Sequence, residues 1–429
     1  MKLSKIKEYA SVDNLVRRPP VVYRRLRRLF AAAETWDRTE RQSWLEVRRQ
    51  RSLELARKLP GYERRRATAP LDKFDLVGCE EDFGRPGILP AFRAATGGTT
   101  GIPLKIIRSP LAVMIEQVAI DHICALAGLD LRRARTAVLR GDFVKPSSEA
   151  NPPYWRSIGP TKLVFSSFHL SQATFSHYFE ALRDYAPQVL VCYPSALAHL
   201  LSLMESAGQS LAIPYVLASS ERLLPETVLA GQRLLGARVI NHYGQAERVT
   251  LAYSIDDGPY YFLPLYGATE LEGGGPESFK VLATSLWNDR QIFIRYETGD
   301  KALLPRCSGN DVRDIELGLR GFCGIDGRNS EHIDLADGRR IIALNHIPRG
   351  VPGIASLQLR RADTWLIEVH VVPADGYGAE SEVQISKNFY EKFPTEMRLL
   401  IRKRDRAIRL SSGKAPLLVP VTHDCIVYR

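Results

Sequence analysis

Short apolar segments alternate with amphipathic ones between residues 189 and 244, and this alternation leaves the chain few folds to adopt. Residues 189–193, 215–218 and 238–240 each have the length and composition of a buried strand. The segments between them carry apolar residues at helical spacing, and Ser195 is suited to cap the first of these helices. Strands separated by helices predict a mostly parallel, covered sheet. Such sheets bind their ligands at the carboxyl ends of the strands.

The two ends of the chain carry different patterns. Apolar residues at helical spacing predict helices over residues 21–59, and Pro60-Gly61 is expected to end the second of them. Beyond about residue 356, apolar and polar residues alternate as in two short strands, and a helical pattern follows around 385–393. This tail predicts a separate small α+β domain of about 100 residues.

The net charge of +11 lies in the N-terminal part of the chain. Residues 1–70 contain 19 Lys and Arg against 8 Asp and Glu, whereas the remaining residues contain 40 of each sign. A solvated helix face is the simplest interpretation of the arginines between Arg24 and Arg28. Docking to an anionic membrane surface, an acidic carrier protein or nucleic acid is the alternative. No basic motif is interleaved with aromatic residues, so we expect no nucleic-acid partner.

Cysteine usage and hydropathy bear on the compartment. No apolar run approaches the roughly 18 residues of a membrane span, and no apolar stretch follows the first residues as it would in a secretory signal. The six cysteines are scattered without a C-x-x-C pair, which favours reduced thiols over a disulfide scaffold. We therefore expect a cytoplasmic protein without a transmembrane segment.

A run rich in glycine and threonine is the first candidate for binding an anion. It consists of Thr96, Gly97, Gly98, Thr99, Thr100, Gly101, Ile102 and Pro103. Glycines let the backbone approach an anion closely, and threonine hydroxyls add donors. No Lys-Ser/Thr follows the last glycine, so the run is not a Walker loop. Taken alone, it could also be a plain surface loop.

Polar residues follow two of the predicted strands. Ser220 and Glu221 come after the strand at 215–218, where capping of the next helix would be their simplest role. Tyr243 and Gly244 come after the strand at 238–240 and lead to Glu247. A glutamate carboxylate is a hard oxygen ligand suited to Mg²⁺ that bridges phosphates. We therefore expect these residues at one edge of the sheet.

Two further polar residues complete the set. Asp300 ends a Thr298-Gly299-Asp300 turn that we expect after a strand at 291–296. A carboxylate after a strand can accept both hydroxyls of a ribose. Lys414 follows a glycine near the end of the predicted small domain, where a lysine is otherwise merely solvated.

In this order, the segments resemble the motifs of the adenylate-forming superfamily of acyl- and aryl-CoA ligases. The nearest branch is the phenylacetate–CoA ligase and CapK-like group, and the resemblance covers about residues 70–429. It implies an α/β fold with a large multi-layer α/β N-terminal domain and a small C-terminal α+β domain. The expected boundaries are a basic helical segment over 1–70 packed on the large domain, a large ATP- and acyl-binding domain over 71–327, a hinge at 328–330 and a small domain over 331–429.

The resemblance also implies roles for individual residues. The phosphate loop comprises Thr96, Gly97, Gly98, Thr99, Thr100 and Gly101, with Thr99 in a catalytic role, and the adenine pocket comprises Ser220, Glu221, Tyr243 and Gly244. Glu247 is expected to hold Mg²⁺, and Asp300 to hold the ribose. Arg328 is expected to contact the nucleotide, and Lys414 to stabilise charge during adenylation. Two positions depart from the family pattern. Ala246 replaces a hydroxyl residue, and Ser330 stands where the hinge usually has Asp or Lys.

Four residues are candidates for contacting the acyl substrate: His169, Tyr193, Ser195 and His242. Relatives often have an aromatic–His pair like Phe168-His169 near the acyl pocket, although a lone histidine is more often a plain surface or core residue. Cys307 and Cys323 lie where some relatives carry a zinc cluster, but the chain has no C-x-C and no well-placed histidine pair. We predict no zinc there.

The resemblance implies an acid–thiol ligase that uses ATP and Mg²⁺ to convert a small carboxylic acid, aryl or acyl, into an acyl-adenylate. The acyl group then passes to a thiol, with CoA as the expected co-substrate. One alternative is an enzyme with an amine or an acidic carrier protein as acceptor. Another is a non-catalytic nucleotide-binding scaffold in polysaccharide biosynthesis. The sequence does not identify the acid. A homodimer is one candidate oligomeric state, and the sequence does not establish it.

Overall fold

The structure is a computed structural model. It describes residues 16–65, 69–87, 91–95, 104–146, 149–273, 277–305, 309–326, 332–342, 344–405, 407–410, 416–419 and 426–427. The helices are α1 (Pro20–Ala33), α2 (Arg38–Ala56), α3 (Pro60–Glu63), α4 (Pro110–Leu126), α5 (Phe175–Tyr185), α6 (Pro194–Ser206), α7 (Pro225–Leu235), α8 (Gly309–Glu316) and α9 (Ala379–Tyr390). Short 3₁₀ turns lie at Glu80–Phe83 and Leu344–His346.

The strands fall into a large eight-stranded sheet, two four-stranded sheets and three short pairs. In chain order they are β1 (Phe92–Ala95), β2 (Lys105–Arg108), β3 (Thr136–Arg140), β4 (Trp155–Ser157), β5 (Lys162–Ser166), β6 (Val189–Cys192), β7 (Tyr215–Ser219), β8 (Arg238–Gly244), β9 (Leu251–Ile255), β10 (Tyr261–Phe262), β11 (Gly267–Gly273), β12 (Ser278–Ser285), β13 (Tyr296–Leu303), β14 (Gly324–Asp326), β15 (Ile333–Asp334), β16 (Arg340–Ile341), β17 (Ile354–Asp363), β18 (Leu366–Pro373), β19 (Arg398–Lys403), β20 (Arg409–Leu410), β21 (Leu418–Val419) and β22 (Ile426–Val427).

The eight-stranded sheet has the order β10-β9-β8-β7-β6-β3-β5-β4. Its five central strands, β8 to β5 in this order, are parallel. The outer pairs β4–β5, β8–β9 and β9–β10 are antiparallel. The predicted strands at 189–193, 215–218 and 238–240 lie side by side as β6, β7 and β8. The prediction of a mostly parallel sheet is therefore confirmed, and the carboxyl ends of five strands meet along one edge.

Helices cover both faces of this sheet. Side chains of α5, α6 and α7 pack on one face, where Val239 is buried, and side chains of α1, α2 and α4 pack on the other, where Ile240 is buried. Neighbouring residues of a strand point to opposite faces, so β8 contributes to both cores. Burial on both faces explains why these strands are continuous apolar runs in the sequence.

The N-terminal helices pack on α4. Arg18 pairs with Asp121 at 2.8 Å, and the Tyr23 hydroxyl donates to the same carboxylate. Phe30 is buried in the core below them. The predicted stop at Pro60 needs correction, because α2 already ends at Ala56 and Pro60 begins the short helix α3. Proline is favoured as a first helical residue since its missing N–H has no partner there anyway. Among the described helices, none has the length and apolarity required to cross a membrane.

The second sheet of the large domain is antiparallel, with the order β11-β12-β13-β14. The strand predicted at 291–296 is wrong, because β13 begins at Tyr296 and contains Thr298, Gly299 and Asp300. The pairing of β12 with β13 shifts register opposite these three residues, and Gly299 has a φ of +78°. The turn-like residues therefore form a bulge within a strand. A bulge re-aims side chains locally, and it presents Asp300 beside β8.

The small domain has a sheet of order β19-β18-β17-β21 packed against α9. Strands β17 and β18 confirm the alternation seen in the sequence. The helix runs from Ala379 to Tyr390 instead of 385–393. Apolar spacing marks only its buried face, which includes Ile385 and Phe389, whereas its first turn is polar. Phe168 of the large domain joins the core of the small domain.

A lysine is buried where the small domain meets Phe168. Lys392 is 4% exposed, and its Nζ lies 4.6 Å from the centre of the Phe168 ring. Burial, with a smaller effect from the charge of Arg349, lowers the pKa of Lys392 to about 7. No carboxylate of the described chain forms an ion pair with it. A buried ammonium group without an anionic partner destabilises the fold.

Replacing Lys392 with methionine is therefore expected to stabilise the protein at pH 7 by about 1–4 kcal/mol. The folded state loses its proton above about pH 7, whereas the unfolded chain retains it up to the ordinary value near 10.5. Between these values the unfolded state binds more protons, so wild-type stability rises with pH and the advantage of the variant shrinks. Urea unfolding at pH 6, 8 and 9.5 measures this. Lys387→Met, at an exposed position of α9, is the control. Equal destabilisation by both substitutions would contradict the prediction.

Candidate nucleotide site

A cleft of about 550 Å³, part of it open to solvent, lies at the carboxyl ends of β7 and β8. Its wall consists of Ser220, Glu221, Arg222, Asn241, His242, Tyr243, Gly244, Tyr260, Asp300 and Ile325. Six of these were predicted as site residues from the sequence. The structure thus brings together segments around residues 220, 243 and 300. Strand pairing explains part of this, since Ser219 of β7 is the register partner of His242 of β8.

Tyr243 and Asp300 form the side of the cleft next to the second sheet. The Tyr243 hydroxyl donates to Asp300 Oδ2 at 2.8 Å, and the Asp300 backbone N–H donates to Thr298 Oγ1 at 3.2 Å. Burial, reinforced by the Asp300 charge, raises the pKa of Tyr243 well above its usual value. Tyr243 is therefore a neutral donor that fixes the carboxylate. Such a carboxylate has acceptor capacity left for hydroxyl groups of a ligand.

Gly244 follows Tyr243 and is exposed at the cleft. A Cβ atom built at this position would meet no atom within 4 Å. The packing of the protein itself therefore does not require glycine here. Open space beside the backbone is what a closely approaching ligand needs.

Glu247 is almost completely buried, behind the cleft. Its Oε1 accepts a hydrogen bond from the Tyr296 hydroxyl at 2.7 Å, whereas Oε2 is buried and has no hydrogen-bond partner in the described part of the chain. Arg108 donates to the carbonyl of Ala246 at 3.0 Å and so holds the loop in place. A buried carboxylate oxygen without a partner is costly. The Glu247 carboxylate therefore has the properties of a cation ligand.

Ser220 and Glu221 do not cap the helix that follows them, because α7 begins at Pro225 with Leu224 as N-cap. Ser220 has a φ of +74°, which is strained for a residue other than glycine. Glu221 instead accepts a hydrogen bond from the Ser195 backbone N–H at 2.8 Å. This carboxylate therefore satisfies a donor at the start of α6.

The predicted capping role of Ser195 also needs correction, because the helix begins before this residue. Pro194 is the first residue of α6, and Tyr193 is the N-cap without a side-chain hydrogen bond. Ser195 is buried in the first turn, two residues after the N-cap and therefore too late to cap. The X-Pro sequence explains this, because proline is well suited to the first helical position.

His242 lines the cleft beside Glu221. Burial lowers the pKa of His242 to about 4, and the charge of Arg140 contributes to this shift. The imidazole is therefore neutral at pH 7. Its Nδ1 is buried without a hydrogen-bond partner in the described structure.

His169 and Tyr193 lie farther along the same edge of the sheet, and neither lines the cleft. His169 is 3% exposed, and its Nδ1 is 2.7 Å from Ser166 Oγ. The ring stacks on Tyr154 at 5.4 Å between centroids. These partners are typical of a core histidine. Tyr193 is half-buried beneath the Arg140 guanidinium.

Several predicted site residues lie outside the described residues. They are Thr96, Gly97, Gly98, Thr99, Thr100 and Gly101 of the glycine–threonine run, Arg328 and Ser330 of the expected hinge, and Lys414. Cys307 also lies outside, whereas Cys323 is an exposed free thiol. Within the described part of the chain, no three His, Cys, Asp or Glu side chains are grouped as a metal site would require.

Sequence reasoning missed Asn241, Tyr260, Arg222 and Ile325, which also line the cleft. Asn241 directly precedes His242 at the end of β8, so its position could have suggested it. Tyr260 and Ile325 reach the cleft from other strands or their flanks, and no local pattern marks them.

No protein-family model and no curated protein matches the sequence. Among solved structures, 2-hydroxyisobutyryl-CoA ligase in complex with 2-HIB-AMP and CoA matches with a TM-score of 0.52, 15% identity and 90% of each chain covered. The same ligase in a postadenylation state matches with a TM-score of 0.49 and 13% identity, again over 90% of each chain. o-Succinylbenzoate CoA synthetase from Bacillus subtilis matches with a TM-score of 0.37 and 15% identity, over 76% of this chain and 68% of that chain. The chain has the fold of 2-hydroxyisobutyryl-CoA ligase over nine-tenths of its length.

Proposed function

We propose that the protein is an adenylate-forming acid–thiol ligase of the acyl-CoA ligase type. The observation that carries this proposal is the cleft in which Tyr243 and Asp300, from two different sheets, face Ser220 and Glu221. The shared fold with an acid–CoA ligase supports it. We place the protein nearest the phenylacetate–CoA ligase and CapK-like branch on the sequence motifs alone. The domain boundaries near residues 70 and 327–331 belong to the same proposal.

The nucleotide would occupy the cleft. Adenine would lie against Tyr243 and Gly244 between the ends of β7 and β8, and Asp300 would accept the ribose hydroxyls. The phosphates would extend toward the glycine–threonine run from Thr96 to Gly101. An oxygen of the acid's carboxylate then attacks the α-phosphorus, and the bond to pyrophosphate breaks. The protein supplies position and charge stabilisation, with Lys414 as the cation at the reacting oxygens.

Mg²⁺ accompanies ATP in this proposal, and Glu247 is the residue that would hold it. The buried, unpartnered Oε2 and the hydrogen-bonded Oε1 are the donor set of a hard-cation ligand. When bound, the ion would neutralise phosphate charge. Thr99 would contact the same phosphates.

The second step transfers the acyl group. The sulfur of a thiol, for which we propose CoA, forms a bond to the acyl carbon while the bond to AMP breaks and the thiol proton is released. Movement of the small domain about residues 328–330 would exchange the groups that face the adenylate. His169 and Tyr193 lie along the edge of the sheet where the acyl or thiol group would extend.

A carrier-protein thiol is a second candidate acceptor, favoured by a groove on α1. Arg24, Arg27 and Arg28 line this groove, whose volume is about 1030 Å³ including its open part. A basic groove suits an acidic protein partner. Mass detection of products with CoA and with an acidic acyl carrier protein separates the two acceptors. If the carrier protein is acylated by the wild type and not by the double variant Arg24→Gln/Arg28→Gln, the carrier is favoured as the acceptor.

Acid-dependent exchange of labelled pyrophosphate into ATP tests the proposal. Exchange with at least one member of a panel of aryl and alkyl acids is expected. Calorimetry with ATP runs alongside it. ATP binding without exchange would favour the non-catalytic scaffold, and absence of both would reject the proposed nucleotide site.

Gly244→Ala is expected to weaken ATP binding by about tenfold while the fold is retained. The added methyl group enters open space in the protein alone but would meet the nucleotide in the complex. Calorimetry measures the affinity, and the melting temperature reports the fold. A matched control is Gly309→Ala at the exposed start of α8, outside the cleft, where an added Cβ also meets no atom within 4 Å. Unchanged ATP affinity would remove Gly244 from the site.

A further inference from the structure

A row of polar residues continues from the nucleotide cleft along the carboxyl edge of the large sheet. Leu139 pairs with Cys192, and Ser219 pairs with His242. Arg140 follows Leu139 and Tyr193 follows Cys192, and Cys192 pairs with Ala218, the residue before Ser219. Arg140 and Tyr193 are therefore level with Ser219 and His242. Arg140, Ser219 and His242 have the same place in the strand alternation and point to the α4 face of the sheet. Tyr193 lies just beyond the end of β6 and packs against the core on the α5–α7 face.

The two ends of this row carry buried polar atoms without partners. Arg140 Nε and His242 Nδ1 are both buried and have no hydrogen-bond partner in the described residues. The Arg140 guanidinium carbon lies 5.7 Å from the centre of the Tyr193 ring. No carboxylate of the described chain forms an ion pair with Arg140. Burying polar nitrogens without partners is costly, so such groups usually serve a ligand.

Two nearby carboxylates, Glu221 and Glu116, are engaged elsewhere, and the exposed Asp142 forms no ion pair with Arg140 in the described structure. Glu221 accepts from the Ser195 N–H. On the α4 side, Glu116 lies 3.6 Å from Arg248 and accepts a hydrogen bond from Tyr266. The positive charge of Arg140 is therefore left for an anion that comes from outside the chain. His242, which lines the nucleotide cleft, connects this position to the place where the acid is activated.

We propose that Arg140 and His242 form a subsite for a second carboxylate, so that the preferred substrate is a dicarboxylic acid activated at one end. The inference rests on the proposed adenylation function and names its substrate class. Arg140 would bind the distal carboxylate, since a guanidinium offers two parallel donors to it. The neutral imidazole of His242 would contribute one hydrogen bond beside it. The proximal carboxylate is then left free to attack the α-phosphorus.

The experiment compares matched pairs of acids: straight-chain acids of four to eight carbons as mono- and α,ω-dicarboxylates, and benzoate against its three benzenedicarboxylates. Pyrophosphate exchange is measured with the wild type, Arg140→Gln and the control Arg135→Gln. Arg135 directly precedes the opposite end of the same strand and donates to the Ala186 carbonyl. We expect wild-type kcat/KM to be higher for at least one dicarboxylate than for its partner. Arg140→Gln should lower that value about 10- to 100-fold, with the monocarboxylates and ATP affinity unaffected.

The outcomes separate this inference from the proposed function. Preference for monocarboxylates, or an equal loss for both members of a pair in Arg140→Gln, would overturn the subsite while leaving adenylation intact. Weaker ATP binding in this variant would also overturn it, because Arg140 would then serve the nucleotide. If no acid supports exchange, calorimetry with the same dicarboxylates decides. Binding that is lost in Arg140→Gln supports the subsite, and no binding overturns it together with the substrate class.

Discussion

Glu247→Gln is expected to lower acid-dependent pyrophosphate exchange by about 100- to 1000-fold. The substitution keeps an oxygen that can accept the Tyr296 hydroxyl, now 2.7 Å from Oε1. It replaces the unpartnered Oε2 with an amide nitrogen that donates and cannot bind a cation. The fold should therefore survive while the charge that holds Mg²⁺ is lost. Exchange rates over a Mg²⁺ titration, together with the melting temperature, provide the measurement.

The control for this variant is Glu226→Gln. Glu226 is exposed on the first turn of α7, so it loses the same charge at a distance from the cleft wall. Its exchange rate should equal that of the wild type. If Glu247→Gln also exchanges at the wild-type rate and with the same dependence on Mg²⁺, Glu247 does not hold the ion.

Lys414→Ala is expected to reduce adenylation by about 1000-fold or more. In the proposed mechanism the ammonium group stabilises charge that builds up on the acid's carboxylate and the α-phosphate. An interaction that strengthens in the transition state lowers the rate when it is removed, with little effect on ground-state binding. ATP affinity measured by calorimetry should therefore remain close to that of the wild type while pyrophosphate exchange is lost.

Lys403→Ala is the matched control for Lys414. Lys403 belongs to the same small domain and pairs with Glu382 at 3.2 Å on the surface. Its removal should leave exchange unchanged, because exposed ion pairs contribute little. Normal adenylation by Lys414→Ala would remove this lysine from its catalytic role.

The sequence predicted the main sheet well because β6, β7 and β8 are consecutive in the chain and adjacent in space. Their buried faces leave continuous apolar runs. The insertion of β3 between β6 and β5 could not be predicted in the same way. Strand order depends on how the crossover helices pack, and the local spacing of apolar residues does not indicate that packing. The position of Arg140 beside Tyr193 follows from that order, so sequence reasoning did not find it.

The candidate site was predicted unevenly for a related reason. Tyr243 and Asp300 each follow a recognisable motif, and the structure brings them to 2.8 Å although 57 positions separate them. Glu221 was predicted for the adenine pocket, with capping of the next helix as the simpler alternative, but its carboxylate accepts from the Ser195 N–H, 26 positions earlier. Capping rules consider only neighbours in sequence, whereas the ends of parallel strands bring distant residues together. The roles of Thr96 to Gly101 and of Lys414 remain predictions from sequence.

The central claim is that the acid is activated as an acyl-adenylate, and the transfer of oxygen tests it most directly. An acid that supports exchange is labelled with ¹⁸O in its carboxyl group and incubated with ATP, Mg²⁺ and the thiol acceptor. Because a carboxylate oxygen forms the bond to the α-phosphorus and stays there when the thiol attacks the acyl carbon, the mass of the released AMP should show one ¹⁸O. Unlabelled AMP, or label in inorganic phosphate with ADP as the nucleotide product, would contradict the account.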